Sequence, residues 1–523
     1  MAASGAHDLI ETLTDAGVEV CFANPGTSEM HFVAALGDHP EMRSILCLFE
    51  GSVTGAADGY GRMTRKPAAT LLHLGPGLAN GLAGLHNAKK AHTPIVNIIG
   101  DHATFHKEYD APLNSDVEGT ARPYSHVIRS STDCRNLAAD TAYVVAAAKE
   151  NGGQIFCLVL PADLAWSEGH GKIAPDKVAA QEQCNASALE AVTQELASGK
   201  KVGLILGGDA CFGAGLKMAG QIGAETGATL LVPHATGRIE RGRGLPSLDR
   251  IPFPVAAAVS MLQGYDTLIL LGAAEPVAFF AYPGLPSRVV DPATRLLTFA
   301  TPQQDVLDAL SRLRDATGAV ETQSDAVTAQ ANDLPEGKLN PDTFATVIAR
   351  HICDDMIVVD EGVTSSRSLF DTSRGAGRHD LLGNVGGAIG AGMPLALGAA
   401  IACPDRPILC ITGDGSASYT VQTLWSLAQQ KLNVTIVVCA NHTYEILRGE
   451  MLRVGAMAPD ERANSLLDIE NPRIDWVQLS KGYGVPASRV QTVAELDTAL
   501  AEALKKVDGP QLIEVPLTSE AVT

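Results

Sequence analysis

Short runs of Val, Ile and Leu alternate along the chain with longer Ala-rich stretches, and this alternation constrains the fold more than any other feature. Such runs are typical of strands that are buried on both faces, and the Ala-rich stretches between them are typical of crossover helices. The pattern predicts an α/β fold of doubly wound parallel sheets. The predicted strands are Val18–Ala23, Ala69–Leu74, Ile95–Ile99, Ile155–Leu160, Val202–Leu206, Thr229–Val232, Thr267–Leu271, Met356–Val359, Ile408–Ile411, Val434–Cys439 and Gln511–Val515.

Two polar stretches, residues 167–183 and 317–340, have few apolar anchors and interrupt this alternation. A length of 523 residues suggests three domains at roughly 150 residues each. We therefore predict three doubly wound parallel-sheet domains, which comprise residues 1–166, 184–316 and 341–523.

The charge and the cysteine pattern exclude several classes of protein. A net charge of −20 and the absence of a Lys- and Arg-rich run argue against a nucleic-acid partner. The first twenty residues do not resemble a secretory signal, and the most apolar window, Leu268–Tyr282, is too short to span a membrane. The ten cysteines include no C-x-x-C pair, so neither a disulfide framework nor a zinc site is indicated. A cytoplasmic protein with free thiols is expected.

A Gly-Asp-Gly-Ser sequence directly follows one predicted strand, and Asn441 follows the next strand, 27 positions after Asp414. The carboxyl ends of parallel strands form the edge at which ligands bind, so both side chains are expected at one site. The flanking glycines, Gly413 and Gly415, would let the backbone approach a phosphate closely. Oxygens of Asp414, Asn441 and the Thr443 main chain would form half of the shell that Mg²⁺ prefers.

A bare Gly-Asp-Gly is often only a tight turn. The combination of strand, Gly-Asp-Gly-Ser, helix, strand and Asn441, however, resembles the cofactor-anchoring motif of the thiamine-diphosphate enzymes. One departure is that Ala440 stands where the family usually has a first Asn. The resemblance implies thiamine diphosphate and Mg²⁺ as cofactors. It implies Asp414, Asn441 and Thr443 as metal ligands, and Gly413, Asp414, Gly415, Ser416, Asn441, Thr443, Tyr444 and Glu445 as cofactor contacts.

Glu50 ends the apolar run Ile45–Phe49 and precedes Gly51–Arg62, which is rich in small residues. Small residues would let a helix pack closely behind the acid. An ordinary glutamate that interacts with a helix N-terminus is the alternative. The stretch resembles the family's activating-glutamate segment, in which a shielded carboxylic acid engages the aminopyrimidine of the cofactor. The resemblance implies that Glu50 is both catalytic and in contact with the cofactor.

Within the family, the resemblance is closest to the benzoylformate decarboxylases. Asn24–Glu29 is similar to the loop of those enzymes that turns a hydroxyl toward the substrate, which implies Thr27. Leu72–Gly77 is similar to the segment that bears an active-site histidine, which implies His73. Acetolactate synthases usually have Ser or Thr at that point.

Two further segments resemble parts of the cofactor site. Gly386–Gly390 is similar to the segment that holds the cofactor bent, which implies Ile389 as the apolar wedge and the Gly387 carbonyl as a contact of the aminopyrimidine. Asp360–Ser365 is similar to the loop near the diphosphate, with Thr364 as the implied contact.

The proton donors depart from the family pattern. The stretch Pro276–Ala281 lacks the second histidine of the benzoylformate decarboxylases, and Leu447 stands where pyruvate decarboxylases have a glutamate. Glu445, His102 and His106 are the remaining candidates, although a solvated loop histidine is the ordinary interpretation of the last two.

The resemblance implies a decarboxylase or carbon–carbon lyase or ligase that acts on a 2-oxo acid or aldehyde. It also implies a homodimer or homotetramer, in which Glu50 and His73 of one chain face Asp414 and Asn441 of another. Phe279 and Phe280 suggest an aromatic pocket, but core packing explains two phenylalanines equally well.

Three alternatives remain. A carboligase of the acetolactate-synthase type usually binds FAD in its middle domain, and residues 202–302 contain no flavin signature that we identify. A nicotinamide-dependent dehydrogenase is suggested by the glycines of Gly75–Gly81 with Asp101 further on, but it leaves Glu50 and the Asp414–Asn441 pair unexplained. An inactive, regulatory relative would be expected to lack Glu50 or Asp414, and both are present.

Overall fold

A computed structural model describes residues 3–320, 326–329, 333–456 and 460–517 of the chain. Parts of the predicted linker 317–340, and the extreme ends of the first and third predicted domains, lie outside the described residues. Residues 167–183 form neither a helix nor a strand apart from a single bridge between Ser4 and Glu168. Three α/β layers with largely parallel sheets are present, which confirms the predicted fold class. The domain boundaries stay predictions.

The first sheet has six parallel strands in the order β2-β1-β3-β4-β6-β5. Because β1 pairs with β2 on one side and β3 on the other, the direction of winding reverses between β1 and β3, where such sheets bind ligands. Its strands are β1 (Val20–Asn24), β2 (Arg43–Leu46), β3 (Ala68–Leu72), β4 (Ile95–Asp101), β5 (Val127–Ser130) and β6 (Ile155–Pro161). Its helices are α1 (Gly5–Asp15), α2 (Met30–Asp38), α3 (Glu50–Thr64), α4 (Leu74–Lys90), α5 (Val117–Ala121), α6 (Cys134–Ala148) and α7 (Ala162–Trp166), with 3₁₀ turns at Thr27–Glu29 and Thr104–Tyr109.

The second sheet has five parallel strands in the order β10-β8-β7-β11-β12, and its winding reverses between β7 and β11. The strands in this part of the chain are β7 (Val202–Leu206), β8 (Thr229–Val232), β9 (Arg238–Arg241), β10 (Asp249–Arg250), β11 (Thr267–Leu271) and β12 (Arg295–Ala300). The helices are α8 (Ala186–Leu196), α9 (Gly213–Thr226), α10 (Val255–Leu262) and α11 (Val306–Thr317), with a 3₁₀ turn at Gly208–Cys211.

The third sheet has seven strands in the order β17-β18-β16-β15-β13-β14-β9, and its winding reverses between β13 and β15. Its own strands are β13 (Met356–Glu361), β14 (His379–Gly383), β15 (Ile408–Gly413), β16 (Val434–Ala440), β17 (Ala487–Arg489) and β18 (Gln511–Pro516). Its helices are α12 (Pro341–His351), α13 (Leu369–Thr372), α14 (Gly392–Ala402), α15 (Asp414–Ala417), α16 (Thr423–Gln429), α17 (Glu445–Arg453), α18 (Glu461–Asn464), α19 (Trp476–Gly482) and α20 (Val493–Ala503).

Strand β9 belongs by sequence to the middle of the chain but pairs antiparallel with β14 of the third sheet. Arg238 on this strand forms an ion pair with Asp380 on β14, with 2.7 Å between Nε and Oδ1. The predicted middle domain, residues 184–316, therefore contributes a strand to a neighbouring sheet. Its sequence did not indicate this, because three of the four residues of β9 are charged.

Helices α3 and α14 pack closely because glycines of each helix face residues of the other. A side-chain carbon on Gly59 would lie 2.2 Å from the Leu395 carbonyl oxygen, and one on Gly398 would lie 1.9 Å from the Ala56 carbonyl oxygen. Buried residues of both helices belong to one apolar cluster, which joins the first and third sheets. The small residues after Glu50 thus serve the close packing that the sequence predicted.

Three other features bear on the expectations from sequence. The predicted strand Ala69–Leu74 ends at Leu72, because His73 is the N-cap residue of α4. All ten cysteines are free thiols. Within the described ranges, no helix combines the length and the apolar character needed to cross a membrane.

Candidate active site

Asp414 and Asn441 follow neighbouring parallel strands, β15 and β16, at the carboxyl edge of the third sheet. The Asp414 carboxylate is buried, and its two oxygens accept backbone N–H bonds from Gly415 at 2.9 Å and from His442 at 2.8 Å. Burial raises the pKa of Asp414 and these two N–H donors oppose the rise. The Asn441 side-chain oxygen accepts the Thr443 N–H at 3.2 Å. Both side chains are held with oxygen atoms at one corner of the sheet.

This corner suits a cation that takes only part of its ligands from protein. No three His, Cys, Asp or Glu side chains of the described residues form a group able to hold a metal ion. A metal at Asp414 and Asn441 would consequently need oxygens from a bound ligand, and Mg²⁺ with a diphosphate meets that requirement. Open space lies before Gly413, where an added side-chain carbon would meet only the Ser416 hydroxyl, at 4.0 Å.

The other predicted cofactor contacts of this corner lie around α15 and the start of α17. The Tyr444 ring packs on Gly415, where a side-chain carbon would lie 2.6 Å from the ring. The Thr443 hydroxyl donates to the Leu467 carbonyl at 2.9 Å and accepts from Arg448 at 2.8 Å, which fixes the backbone at Thr443. Ser416 and Glu445 are both buried here.

The loop that precedes α14 contains Gly387 and Ile389 and is tied to the first domain. Asn87 on α4 donates to the Ala388 carbonyl at 2.8 Å and accepts the Ala388 N–H at 3.2 Å. Asn384 braces the same turn, because its oxygen accepts the Gly387 N–H at 2.9 Å. Gly387 has a φ of 81°, which favours glycine, and it is exposed, whereas Ile389 is half-buried.

A buried glutamate that the sequence did not single out fixes the end of this loop. Glu361, the last residue of β13, accepts the Ala391 N–H at 2.9 Å and the Gly392 N–H at 2.8 Å. Burial raises the pKa of Glu361, and the two N–H donors oppose the rise. Thr364 lies half-buried just beyond β13, on the same edge of the third sheet as Asp414.

Glu50 is the first residue of α3 and is buried, with 7% of its surface exposed. Asn80 on α4 donates to its carboxylate at 3.0 Å. A side-chain carbon on Gly77 would lie 3.2 Å from Glu50 Oε1 and 3.3 Å from His73 Cβ. The structure therefore brings both Glu50 and His73 next to Gly77.

His73 and Thr27 follow β3 and β1, the two strands between which the first sheet reverses its winding. The His73 Nδ1 atom lies 2.8 Å from the carboxylate of Glu29, a buried residue that no sequence motif indicated. Glu29 stands three positions after Gly26, the spacing of a helix cap, and that signal alone indicates a structural role. Thr27 is exposed beside this pair.

His102 and His106 follow β4, on the same edge of the sheet, with their ring centres 5.5 Å apart. The Nε2 atom of His102 is buried and has no hydrogen-bond partner among the described residues, whereas His106 is exposed on the 3₁₀ turn. As far as the structure describes the chain, neither ring hydrogen-bonds to Glu50 or His73, so their predicted part in catalysis stays a prediction.

The two groups of predicted residues belong to different sheets of the chain. Among residues 3–320, 326–329, 333–456 and 460–517, no hydrogen bond or ion pair joins Glu50 or His73 to Asp414 or Asn441. Each group lies at the carboxyl edge of its own sheet.

Phe279 and Phe280 do not belong to the core, since 44% and 55% of their surfaces are exposed, so the core-packing explanation is wrong. The Phe279 ring lies against the loop that precedes α14, where a side-chain carbon on Gly387 would be 3.0 Å from its Cζ. Phe253 lies beside it, with 5.5 Å between ring centres. Phe279 thus borders this loop and belongs to a cluster of three aromatic rings, since Phe280 also lies beside it with 5.1 Å between ring centres.

Packing accounts for the glycines that suggested a dinucleotide site. Helix α4 already begins at Leu74, so these glycines lie within it. A side-chain carbon on Gly75 would lie 1.9 Å from the Ser115 hydroxyl, and one on Gly81 would lie 2.9 Å from Thr54 Cγ2. The space in front of them is filled by protein, not open to a pyrophosphate.

Comparison with known proteins agrees with this geometry. Residues 3–117 match the family described as thiamine pyrophosphate enzyme, N-terminal TPP binding domain, and residues 366–515 match the corresponding C-terminal TPP binding domain. A Mycobacterium tuberculosis protein with the provisional name acetolactate synthase large subunit IlvX is 46% identical over 99% of both chains. The benzoylformate decarboxylase of Pseudomonas aeruginosa is 29% identical over 97% of both chains. A solved structure of 4-hydroxybenzoylformate decarboxylase from Rhodococcus jostii has the same fold, with a TM-score of 0.87 at 24% identity over 99% of this chain and 100% of that one.

Proposed function

This chain belongs to the thiamine pyrophosphate enzymes, and on that premise we propose that it binds thiamine diphosphate with Mg²⁺ and decarboxylates an aromatic 2-oxo acid. The observation that carries the substrate class is the contact of the exposed Phe279 ring with Gly387. An aromatic ring beside the loop predicted to hold the cofactor would pack against an aromatic substrate. The similarity to a benzoylformate decarboxylase supports the same class.

The chain's own residues have distinct parts in this proposal. When bound, thiamine diphosphate supplies the carbon that adds to a carbonyl and the ring that accepts the electron pair released with carbon dioxide. Asp414, Asn441 and the Thr443 carbonyl would hold Mg²⁺ and, through it, the diphosphate. Glu50 would hold a proton at the aminopyrimidine, and His73 would move a proton at the substrate.

We further propose that each complete site combines two chains, since Glu50 and Asp414 lie on different sheet edges of one chain. Coexpression of Glu50→Gln and Asp414→Asn chains tests this arrangement. A mixed dimer has one intact site if the site is shared between chains, so part of the activity should return. No recovery from an assembled mixed dimer would contradict a shared site.

The cofactor and the substrate class can be tested in sequence. Titration of the metal-stripped protein with thiamine diphosphate should show tight binding that requires Mg²⁺.

A panel of 2-oxo acids should then give benzaldehyde from benzoylformate faster than acetaldehyde from pyruvate. Phe279→Ala should raise the KM for benzoylformate more than that for pyruvate. Binding without any turnover of aromatic acids would contradict the proposed substrate.

A carboligase of the acetolactate-synthase type is the second candidate. The carboxyl edge of the middle sheet opens into a cavity of about 530 Å³, lined by Gly207, Gly208 and Gly272 at the reversal between β7 and β11. A cavity of this size can hold a small cofactor such as a flavin. Flavin absorbance in the purified protein, together with 2-acetolactate formed from pyruvate, would favour this candidate over the decarboxylase.

A further inference from the structure

We propose that Glu29 is the positioning residue for His73, and that it fixes the imidazole with the proton on Nδ1 and with Nε2 presented to the substrate. The proposal rests on the proposed function only for the identity of the substrate. The placement of the proton follows from the contacts of the carboxylate.

Three donors converge on the two oxygens of Glu29. The Gly26 N–H donates to Oε2 at 2.7 Å, and the Ser28 hydroxyl donates to Oε1 at 2.5 Å. His73 Nδ1 lies 2.8 Å from Oε2. The Ser28 hydroxyl also lies 3.3 Å from Nδ1, but the carboxylate is the nearer partner. Carboxylate oxygens accept hydrogen bonds, so the proton of this contact is placed on Nδ1.

The pair is enclosed by two glycines. A side-chain carbon on Gly26 would lie 2.2 Å from His73 Nδ1, and one on Gly100, near the end of β4, would lie 1.8 Å from Glu29 Oε1. Glu29 itself is 1% exposed. Since any side chain at Gly26 or Gly100 would displace the pair, the local backbone is shaped around this contact.

The other ring nitrogen of His73 is left for a ligand. The His73 side chain is 21% exposed, and no residue that the structure describes hydrogen-bonds to its Nε2. With Nδ1–H held by a carboxylate, Nε2 is the atom that accepts a proton and returns it. Glu29 does not touch the substrate in this arrangement and acts through His73.

The proton on Nδ1 can be tested without cofactor or substrate. In protein with ¹⁵N-labelled histidine, one-bond and two-bond ¹⁵N–¹H correlations at alkaline pH should show His73 with a protonated Nδ1 and a bare Nε2. Glu29→Gln keeps an acceptor for Nδ1–H and should keep this tautomer. Glu29→Leu removes the acceptor and should lose it, as should Gly26→Ala, which displaces the ring. A wild-type His73 protonated on Nε2, or an unchanged tautomer in both Glu29→Leu and Gly26→Ala, would overturn the assignment.

Turnover provides the second measurement. Glu29→Leu should lower kcat by about ten- to hundredfold with little change in KM or in cofactor affinity, because the carboxylate orients His73 without binding the substrate. In a His73→Ala background the same change should have almost no further effect on kcat. Glu195→Gln is the matched control, since Glu195 is also a buried, hydrogen-bonded carboxylate and lies in the middle domain. It should alter neither the tautomer nor kcat.

Absence of turnover in the wild type would contradict the proposed function. The ¹⁵N measurement of the His73 tautomer would still decide the role of Glu29.

Discussion

The side-chain amide of Asn80 donates a 3.0 Å hydrogen bond to Oε2 of Glu50, the buried first residue of α3. The bond links α4 to α3, so that the residue predicted to activate the cofactor is held by a neighbour on another helix. An ionised or a protonated carboxyl group can accept this bond. The hydrogen bond between Asn80 and Glu50 can therefore persist when Glu50 gains or loses a proton.

Glu50→Gln should leave folding and cofactor binding intact, because the amide oxygen can still accept the bond from Asn80. The amide cannot hold or release a proton, so exchange of the cofactor's C2 proton should slow by at least about a hundredfold. Quenched-exchange NMR of the bound cofactor measures this rate. Glu195→Gln serves as the control and should exchange at the wild-type rate. Fast exchange in Glu50→Gln would refute the role assigned to Glu50.

Asp414→Asn should lose most of the Mg²⁺-dependent affinity for thiamine diphosphate. Both oxygens of Asp414 accept backbone N–H bonds, so an amide group would turn its own N–H toward Gly415 or His442. We expect affinity to fall by about a hundredfold, or roughly 3 kcal/mol, by titration calorimetry. Asp475→Asn provides the control, since Asp475 caps α19 and asparagine caps a helix equally well. Equal affinity in the two variants would be incompatible with an anchor at Asp414.

Gly59→Ala should destabilise the protein by about 3 kcal/mol, the upper end of the usual effect of overpacking, because the added carbon meets the rigid Leu395 carbonyl. Gly37→Ala is the matched control, since nothing lies within 4 Å of the added carbon there. It should stabilise α2 by up to about 1 kcal/mol. Urea unfolding followed by circular dichroism compares the two. Equal free energies of unfolding for Gly59→Ala and Gly37→Ala would show that α3 and α14 can move apart without loss of stability.

His379 should make stability depend on pH. Burial lowers its pKa to about 4, below the ordinary value of 6.5, so the unfolded chain binds the proton more readily. The free energy of unfolding should therefore fall as pH decreases from about 6.5 toward 4, with about 1 kcal/mol already lost at pH 5.5.

The variant His379→Asn isolates this contribution, because Asn can donate to the Gly377 carbonyl as Nδ1 of His379 does. Urea unfolding at pH 7.5 and 5.5 should show a smaller difference in the variant than in the wild type. A pH dependence identical in the two proteins would assign the effect to other groups.

Much of the fold follows from apolar runs alone. The strands β7, β8 and β11 match their predicted limits, because every position in them is apolar, glycine or threonine and nearly all are buried. The short strand β10 and the charged strand β9 could not be predicted in this way, since pairing with a neighbour, and not their own composition, makes them strands.

The site was predictable where a residue type and a strand end coincide, as at Asp414 and His73. Glu29 and Asn80 were missed for a physical reason. Their roles come from contacts with residues 30 or more positions away, and neither has a local pattern that differs from a helix cap or a helix surface. Such partners become visible only once the elements are packed.

The antiparallel pairing of β9 with β14 bears on how proteins of this architecture can exchange parts. A recombination that replaced residues 184–316 as a cassette would also replace the edge strand of the neighbouring sheet and remove the ion pair between Arg238 and Asp380. The incoming segment would have to match a foreign β14 at four positions. Exchange of the middle domain is therefore coupled to exchange of the third domain. Chimaeras whose junctions fall within residues 184–316 should assemble only when β9 and β14 come from the same parent protein.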